Sequence, residues 1–327
     1  MITVIGAGAW GTALSLQLAK NHNIVNLWDV DNELISSLQR HHSNERYLPE
    51  ILFPDNLIVH STLDSALKNT NDILLVIPSH AFFIILMELK SYVNANIRIA
   101  WGTKGLISQT NQLLHQAVQE ILGFIPMAAV SGPSFAKEVA LELPTALTVA
   151  SNDKRFAYDL SCKLHSPKFR IYTSEDLIGV EVGGAVKNVL AIAVGISDGM
   201  GLGANARSAL ITRGLTEMTR LGEILGGRKE TFMGLTGLGD LVLTCTDNQS
   251  RNRRLGLLIG SGKSLPQAQK ELGLLAEGIS NAKSIFELAQ SKQVEMPIVE
   301  QVYKVIYQNI SPLEALKNLL NRAPKTE

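Results

Sequence analysis

Residues 2–20 read ITVIGAGAWGTALSLQLAK, and this stretch decides how the fold is expected to begin. Its first four residues are mostly apolar and predict a buried strand, and the pattern over 12–20 predicts a helix. Between them lie three glycines spaced as G-x-G-x-x-G, namely Gly6, Gly8 and Gly11. The first allows a tight turn, the second lets a pyrophosphate approach the backbone, and the third lets helix and strand pack closely. The stretch therefore predicts a strand–loop–helix unit that binds a dinucleotide.

An acidic residue, Asp29, comes directly after the second predicted strand and follows Gly11 at the spacing of this fingerprint. A carboxylate in this place is suited to the ribose 2′-hydroxyl of the dinucleotide. The next residue is Val30 rather than arginine, so a 2′-phosphate would meet a negative charge without a matching cation. We therefore expect NAD or NADP as the cofactor, with NAD favoured.

The first half of the chain alternates short apolar runs with stretches of helical period. Buried strands separated by helices predict parallel pairing through right-handed crossovers, and so a doubly wound α/β sheet. No convincing strand follows Asp176, and we expect a dinucleotide-binding domain at 1–178 and an all-α domain at 179–327. The predicted strands are Ile2–Ile5, Ile24–Trp28, Ile73–Ile77, Ile97–Trp101, Met127–Ser131, Ala146–Ala150 and Arg170–Tyr172. The predicted helices include Thr12–Lys20, Asn32–Arg40, Gly183–Ile196, Asn205–Leu225, Ser250–Ile259, Asn281–Ser291, Pro297–Gln308 and Pro312–Asn321.

Charge and composition exclude several classes of protein. The 327 residues include 30 basic and 30 acidic side chains, so the chain lacks the positive field that drives nucleic-acid binding. The N-terminus lacks the charged region of a signal peptide. The most apolar later run, Ile73–Met87, is interrupted at residues 78–80 and falls short of the roughly 20 residues that span a bilayer. We expect a cytoplasmic protein that binds no nucleic acid and does not insert into a membrane.

The two cysteines, Cys162 and Cys245, form neither a disulfide framework nor a metal-binding pattern. We expect both to be buried as small apolar side chains. The seven histidines show no metal-ligand spacing, so no metal site is predicted.

A lysine, Lys187, lies in a helical stretch that is otherwise small and apolar, EVGGAVKNVLAIAV at 181–194. Its helical neighbours three and four positions away are glycine, leucine and alanine, so no local ion pair explains it. One interpretation is that its ammonium reaches solvent at the helix edge. The preceding glycines Gly183 and Gly184 leave room for a ligand, which favours a partly desolvated lysine with a lowered pKa. Reducing a ketone creates an alkoxide that needs a proton, and Lys187 is the candidate donor.

Polar segments follow two predicted strands and precede one predicted helix. Trp101–Gly105 places Lys104 at the carboxyl end of a strand, and Ser131–Ala136 follows the next strand, in the crevice where such sheets bind ligands. Farther on, Thr236–Thr244 precedes the sequence Ser250-Arg251-Asn252 at a helix start. A hydroxyl, a guanidinium and an amide at a helix N-terminus form a phosphate cradle. These residues predict a small phosphorylated ketone as substrate.

Neighbouring charges have simpler interpretations. Arg253 and Arg254 are expected to be solvated surface charges. Asp240, which follows a glycine, is explained equally well as a turn residue.

Together these segments resemble the bacterial soluble glycerol-3-phosphate dehydrogenases through nearly the whole chain. The resemblance implies a Rossmann-like domain followed by a helical domain, a homodimer, and reversible NAD(P)-dependent reduction of dihydroxyacetone phosphate to sn-glycerol 3-phosphate for glycerophospholipid synthesis. The matching motifs are GAGAWGTALS at 6–15, PSH at 78–80, GTKG at 102–105, SGPSFAKEVA at 131–140, EVGGAVKNVLAIAVGISDG at 181–199, GLTGLGDLVLTCT at 234–246, SRNRRLG at 250–256 and AEG at 276–278.

The resemblance also implies roles for individual residues. Lys187 is the implied proton donor or acceptor, and Asp240 either orients Lys187 or binds a substrate hydroxyl. The residues implied to line the substrate are Lys104, Gly132, Ser134, Lys187, Asn188, Asp240, Thr244, Ser250, Arg251 and Asn252. The residues implied to contact the dinucleotide, beside Gly6, Gly8, Gly11 and Asp29, are Ala9, Trp10, Lys104, Ala136, Arg251, Leu275 and Glu277.

The chain departs from the family pattern at two places. Val30 stands where a basic residue is usual, and Asp247-Asn248-Gln249 stands where Ser-Pro-Leu is usual. The first departure bears on NADP use, and the second on how the loop before Ser250 closes.

Two other functions remain open. One is a hydroxyacid or sugar-acid dehydrogenase of the same architecture, against which the phosphate cradle argues. The other is a dinucleotide-binding regulator without catalysis, which would not need Lys104, Lys187 and Asp240 together.

Overall fold

The computed structural model describes residues 1–92, 94, 96–273 and 275–323. Its strands are β1 Ile2–Ile5, β2 Val25–Trp28, β3 Ser43–Asn44, β4 Leu48–Leu52, β5 Leu57–Val59, β6 Asp72–Leu75, β7 Arg98–Trp101, β8 Met127–Ser131, β9 Thr145–Ser151 and β10 Phe169–Ser174. Its helices are α1 Ala9–Lys20, α2 Asn32–His41, α3 Leu63–Leu67, α4 Ser79–Leu89, α5 Leu114–Leu122, α6 Ala136–Ala140, α7 Lys154–Leu164, α8 Leu177–Gly199, α9 Gly203–Ile224, α10 Lys229–Phe232, α11 Asp240–Thr246, α12 Arg251–Gly260, α13 Leu265–Leu272, α14 Gly278–Ser291, α15 Pro297–Tyr307 and α16 Pro312–Leu320.

The chain forms two compact units. The first comprises Met1–Lys104 and Leu113–Val180, and the second comprises Gly105–Gln112 and Glu181–Glu327. The expected boundary at 178/179 lies two residues from this division. The grouping of 105–112 with the helical unit was not expected, because nothing in its local sequence distinguishes it from the flanking loop.

An eight-stranded sheet with the order β10-β9-β8-β7-β6-β1-β2-β5 organises the first unit. β2 and β5 lie on one side of β1, whereas β6, which comes later in the chain, lies on the other side. The order therefore reverses between β1 and β6. Ligands of such sheets bind outside the carboxyl ends of the strands at this point, which is where the glycine loop begins.

The pairing differs from the sequence prediction at two places. The β8–β9 pair is antiparallel rather than parallel. Its connection holds only the five-residue α6, and a helix of about 7.5 Å is too short to return the chain along a whole strand. The prediction also missed β3, β4 and β5, whose short sequences SN, LPEIL and LIV show no alternating pattern.

Helices build the second unit, and no strand begins after Ser174 in the described residues, as predicted. α8 is long and apolar enough to span a membrane, but 89% of its most apolar 18-residue stretch is buried inside the protein. This burial is typical of a core helix in a soluble protein.

Glycines bring α8 and α12 into backbone contact. A Cβ atom added at Gly195 would lie 2.2 Å from the carbonyl oxygen of Arg253, and one at Gly256 would lie 2.2 Å from that of Ile192. Only glycine permits so close an approach. The contact fixes the start of α12, which carries the predicted phosphate cradle, beside the helix that carries Lys187.

Candidate active site

The three glycines of the first loop have three different surroundings. Gly6 has φ +108°, and an added Cβ would lie 2.3 Å from the carbonyl oxygen of Val76, just after β6. An added Cβ on Gly11 would lie 1.8 Å from the carbonyl oxygen of Gly6. Gly8 faces open space, since no atom lies within 4 Å of the corresponding position. The loop therefore fits a dinucleotide, with room for a pyrophosphate only at Gly8.

The start of α1 is suited to anion binding. Gly8 is its N-cap and supplies no capping side chain, and the helix ladder begins with Thr12 N donating to Gly8 O at 2.9 Å. The amide groups of the first turn and the helix dipole are thus directed at the loop. Trp10, in that turn, lies against Gly102, where an added Cβ would be 2.9 Å from the indole nitrogen. That nitrogen is buried and has no hydrogen-bond partner among the described residues.

Asp29 is tied to the glycine loop itself. Its Oδ2 accepts a hydrogen bond from the amide of Ala7 at 2.6 Å, and its Oδ1 accepts one from the amide of Asp31 at 3.0 Å. The carboxylate therefore stabilises the loop, and its predicted contact with a ribose stays a prediction. The adjacent Val30 side chain is 67% exposed.

The carbonyl oxygen of Gly132 accepts hydrogen bonds from two other predicted site residues of the first unit. Lys104 Nζ donates to Gly132 O at 3.4 Å, and Ser134 Oγ donates to the same oxygen at 3.0 Å. Gly132 has φ +140°, a conformation that favours glycine. Ala136 is the first residue of α6.

Lys187 is buried, with 8% of its side chain exposed, so its ammonium does not reach solvent at the helix edge. Its Nζ donates to Asp240 Oδ1 at 2.6 Å and to Thr244 Oγ1 at 2.9 Å. Thr244 Oγ1 in turn donates to Asp240 O at 2.6 Å. These two buried acceptors hold the Lys187 Nζ in one position.

The turn before α11 carries Asp240 to the lysine. Residues Leu235–Gly239 form a π-helical turn, a local distortion frequent at functional sites. An added Cβ on Gly183 would lie 2.5 Å from the carbonyl oxygen of Thr236. The expectation that Gly183 leaves room for a ligand is therefore wrong, because the backbone of this turn fills that room.

The predicted phosphate cradle forms the start of α12. Ser250 is the N-cap, and its Oγ accepts from the amide of Arg253 at 3.2 Å. Asn252 donates from Nδ2 to Asn188 Oδ1 at 2.9 Å, so the cradle touches the residue that follows Lys187. Arg251 is the first residue of the helix and is partly exposed.

Asn252 also reaches the start of α14. Its Oδ1 accepts from the amide of Gly278 at 2.9 Å. The preceding Glu277 is the N-cap residue of α14, and Leu275 is 52% exposed. Leu275 and Glu277, two of the predicted dinucleotide contacts, therefore lie on a segment that is hydrogen-bonded to the cradle.

Arg253 is not a solvated surface charge, contrary to expectation. Its side chain is 8% exposed, and Nη1 donates to Asp198. Its Nε donates to Asn248 Oδ1 at 3.1 Å, and Asp198 also accepts from Arg207 at 3.0 Å. Sequence reasoning missed this network because Asp198 lies 55 residues before Arg253.

The cysteines differ in their surroundings. Cys245 is buried as expected, and burial raises the pKa of its thiol to about 12, which removes it as a nucleophile at neutral pH. Cys162 is exposed, contrary to expectation, on the outer face of α7. No cluster of metal-ligating side chains occurs in the part of the chain that the structure describes.

Two family models match the chain. Residues 1–157 match the N-terminal part, and residues 176–317 the C-terminal part, of NAD-dependent glycerol-3-phosphate dehydrogenase. The chain belongs to this family. Family membership confirms the resemblance drawn from the motifs, the Rossmann-like fold with a helical C-terminal part, and the class of NAD(P)-dependent oxidoreductase.

Several similar proteins match along nearly their whole length. Glycerol-3-phosphate dehydrogenase [NAD(P)+] of Serratia proteamaculans is 53% identical, over 100% of this chain and 97% of the relative. The crystal structure of glycerol-3-phosphate dehydrogenase from Coxiella burnetii is 50% identical with a TM-score of 0.96, covering 98% of each chain. The structure of the Saccharomyces cerevisiae enzyme is 31% identical with a TM-score of 0.84, covering 97% of this chain and 98% of that one.

Proposed function

We propose that this member of the glycerol-3-phosphate dehydrogenase family reversibly reduces dihydroxyacetone phosphate to sn-glycerol 3-phosphate with NAD(P). One observation carries the proposal: the buried, paired ammonium of Lys187 adjoins the phosphate cradle through the Asn188–Asn252 hydrogen bond. A proton donor beside an anchor for a phosphate is what reduction of a small phosphorylated ketone requires. The names of the 50–53% identical relatives support the same activity.

Different residues of the chain have different roles in this reaction. The bound nicotinamide supplies the hydride. Lys187 Nζ gives a proton to the substrate oxygen during reduction and takes it back during oxidation. Asp240 and Thr244 hold the ammonium in one orientation, and the start of α12, with Arg251, neutralises the substrate phosphate.

The cofactor is assigned to the first unit. Gly8, Ala9 and Trp10 at the start of α1 bind the pyrophosphate, and Asp29 binds the adenosine ribose. Asp29 beside the uncharged Val30 favours NAD over NADP. We also propose, from the family resemblance, that the protein is a cytoplasmic homodimer serving glycerophospholipid synthesis.

The decisive assay follows NADH absorbance after addition of dihydroxyacetone phosphate, with NADPH in parallel. We expect oxidation of NADH with this substrate and little with unphosphorylated 2-keto acids. Turnover of 2-keto acids instead would assign a hydroxyacid dehydrogenase. A folded sample that binds NADH but turns over neither substrate would be the regulator.

A further inference from the structure

A cavity of about 580 Å³ lies within the helical unit among α8, α9, α15 and α16. Its volume falls within the range of about 300–1,000 Å³ typical of small-molecule sites. Lys187, Asp240 and the Ser250-Arg251-Asn252 cradle are not among the described residues that line it. The cavity is therefore distinct from the candidate active site.

Much of the wall of this cavity is formed by apolar side chains. Ile196 on α8, Leu210 on α9, Val302 and Val305 on α15 and Leu316 on α16 line it. A hydrocarbon body in contact with these side chains would leave water for an apolar surface, which is favourable.

One wall carries a buried hydroxyl group. Ser197 lines the cavity and is only 3% exposed. Its Oγ has no hydrogen-bond partner among the described residues. A buried hydroxyl without a partner is unfavourable, so a hydrogen bond to a polar atom of a molecule inside the cavity would be stabilising.

Charged side chains surround the same cavity. Three arginines, Arg213, Arg220 and Arg322, line it together with Glu217 and Glu295. Glu295 accepts from Arg220 through its carbonyl oxygen at 2.5 Å and pairs with Arg322 through its carboxylate at 3.3 Å. Among the described residues that line the cavity, three guanidinium groups stand against two carboxyl groups, a lining that favours an anion.

We propose that this cavity binds an anionic amphiphile, with its hydrocarbon body along the apolar walls and its anionic head at the arginines. The apolar walls favour a hydrocarbon body, the arginines favour a negatively charged head group, and Ser197 Oγ supplies one polar contact. The head is a carboxylate, as in a free fatty acid, or a phosphate, as in a phosphorylated alcohol.

Calorimetric titration of the full-length protein with three straight-chain probes tests the sign of the head. Dodecanoate, dodecyl phosphate and dodecyltrimethylammonium have tails that differ by at most one carbon and are used below their micelle concentrations. We expect one anion per chain to bind, at least about tenfold more tightly than the cation. The tighter anion identifies the head group, whereas equal binding of anion and cation, or no binding, overturns the proposal.

Variants on α9 test the location. Ala206 lines the cavity and Ser208 is exposed outside its lining, so Ala206→Trp fills the cavity and Ser208→Trp is the matched control. We expect Ala206→Trp to weaken dodecanoate binding at least about tenfold and Ser208→Trp to leave it unchanged. Both variants should keep wild-type turnover, which reports correct folding independently of binding. Unaltered binding in Ala206→Trp overturns the proposal.

Ser197→Ala supplies an independent measurement. Loss of the unpartnered hydroxyl should raise the melting temperature of the ligand-free protein and weaken anion binding. The alternative is that the cavity is a contact between copies of the chain, and sedimentation tests it. If Ala206→Trp dissociates an oligomer and the wild type binds no dodecanoate, the proposal fails.

Discussion

Lys187 Nζ donates to Asp240 Oδ1 at 2.6 Å, and both side chains are nearly inaccessible, with 8% and 1% exposed. The two residues stand 53 positions apart and come from different helices. Burial makes their mutual stabilisation strong, so removal of either partner leaves an uncompensated charge. Each variant of this pair therefore needs a measurement of stability beside its kinetics.

Lys187→Met should lower kcat by about 10²-fold or more, the usual scale for loss of a general acid. NADH binding, measured by fluorescence titration, should stay within about twofold, since the glycine loop belongs to the first unit. Lys283→Met, at a half-exposed lysine of the same unit, is the control. A kcat near the wild-type value would remove Lys187 from the mechanism.

Asp240→Asn separates the two roles considered for that residue. If Asp240 orients Lys187, kcat falls by about 10- to 100-fold with little change in KM for dihydroxyacetone phosphate. If it binds a substrate hydroxyl, KM rises while kcat holds. The hydrogen bond to Lys187 leads us to expect the first result in steady-state kinetics.

Asn248→Ala should raise KM for dihydroxyacetone phosphate with little change in kcat. Asn248 Oδ1 accepts from Arg253 Nε at 3.1 Å and so holds the loop that ends at Ser250. Loss of one hydrogen bond to a charged group corresponds to an effect of about tenfold or more. Gln249→Ala, at the neighbouring exposed position, is the control. An equal effect in both variants would mean that loop composition matters rather than this bond.

Val30→Arg should increase kcat/KM for NADPH by about tenfold and leave NADH use largely unchanged. The valine side chain is 67% exposed next to Asp29, so a guanidinium there can meet a 2′-phosphate. Val30→Gln adds length without charge and is the control. A wild-type enzyme that already prefers NADPH tenfold would contradict our assignment of NAD.

Glu217 should make stability depend on pH. Burial raises its pKa from 4.5 to about 7, although the amides of Ile298 and Val299 donate to its carboxyl group. The folded protein therefore keeps a proton that the unfolded chain loses, so this contribution is complete below about pH 4.5 and is lost as the pH rises through about 7.

The size of this effect is about 3 kcal/mol in the free energy of unfolding, from the difference of the two pKa values. Urea unfolding between pH 4.5 and 8 measures it. Glu217→Gln should flatten the curve relative to the wild type, and Glu223→Gln, exposed on the same helix, should not. Parallel curves for wild type and Glu217→Gln would contradict the assignment.

Much of the fold was predictable because its signals are local. β1 and β8 have the predicted bounds, and α12 and α16 begin within one residue of their predicted starts. Each depends on residues within a few positions of one another. The antiparallel β8–β9 pair and the short β5 were not predictable, since pairing partners are selected by the whole sheet.

The candidate site divides in the same way. A lysine in an apolar helix was conspicuous by composition, and so was the polar start of α12. The partner of Lys187 and the anchor of Arg253 were not, because both lie more than 50 residues away. Cys162 and Arg253 were assigned the wrong exposure for the same reason: burial is a property of neighbours in space.

The sequence by itself determined the strand–glycine loop–helix unit, the acidic residue that follows it and the capped start of α12, since each follows from backbone sterics and helix-end hydrogen bonds over a few residues. Only the tertiary structure decided that Asp240 pairs with Lys187, that Arg253 anchors the loop before Ser250, and that Gly183 serves packing. These outcomes depend on how closely helices approach, and that distance is set by glycine contacts between segments far apart in the chain.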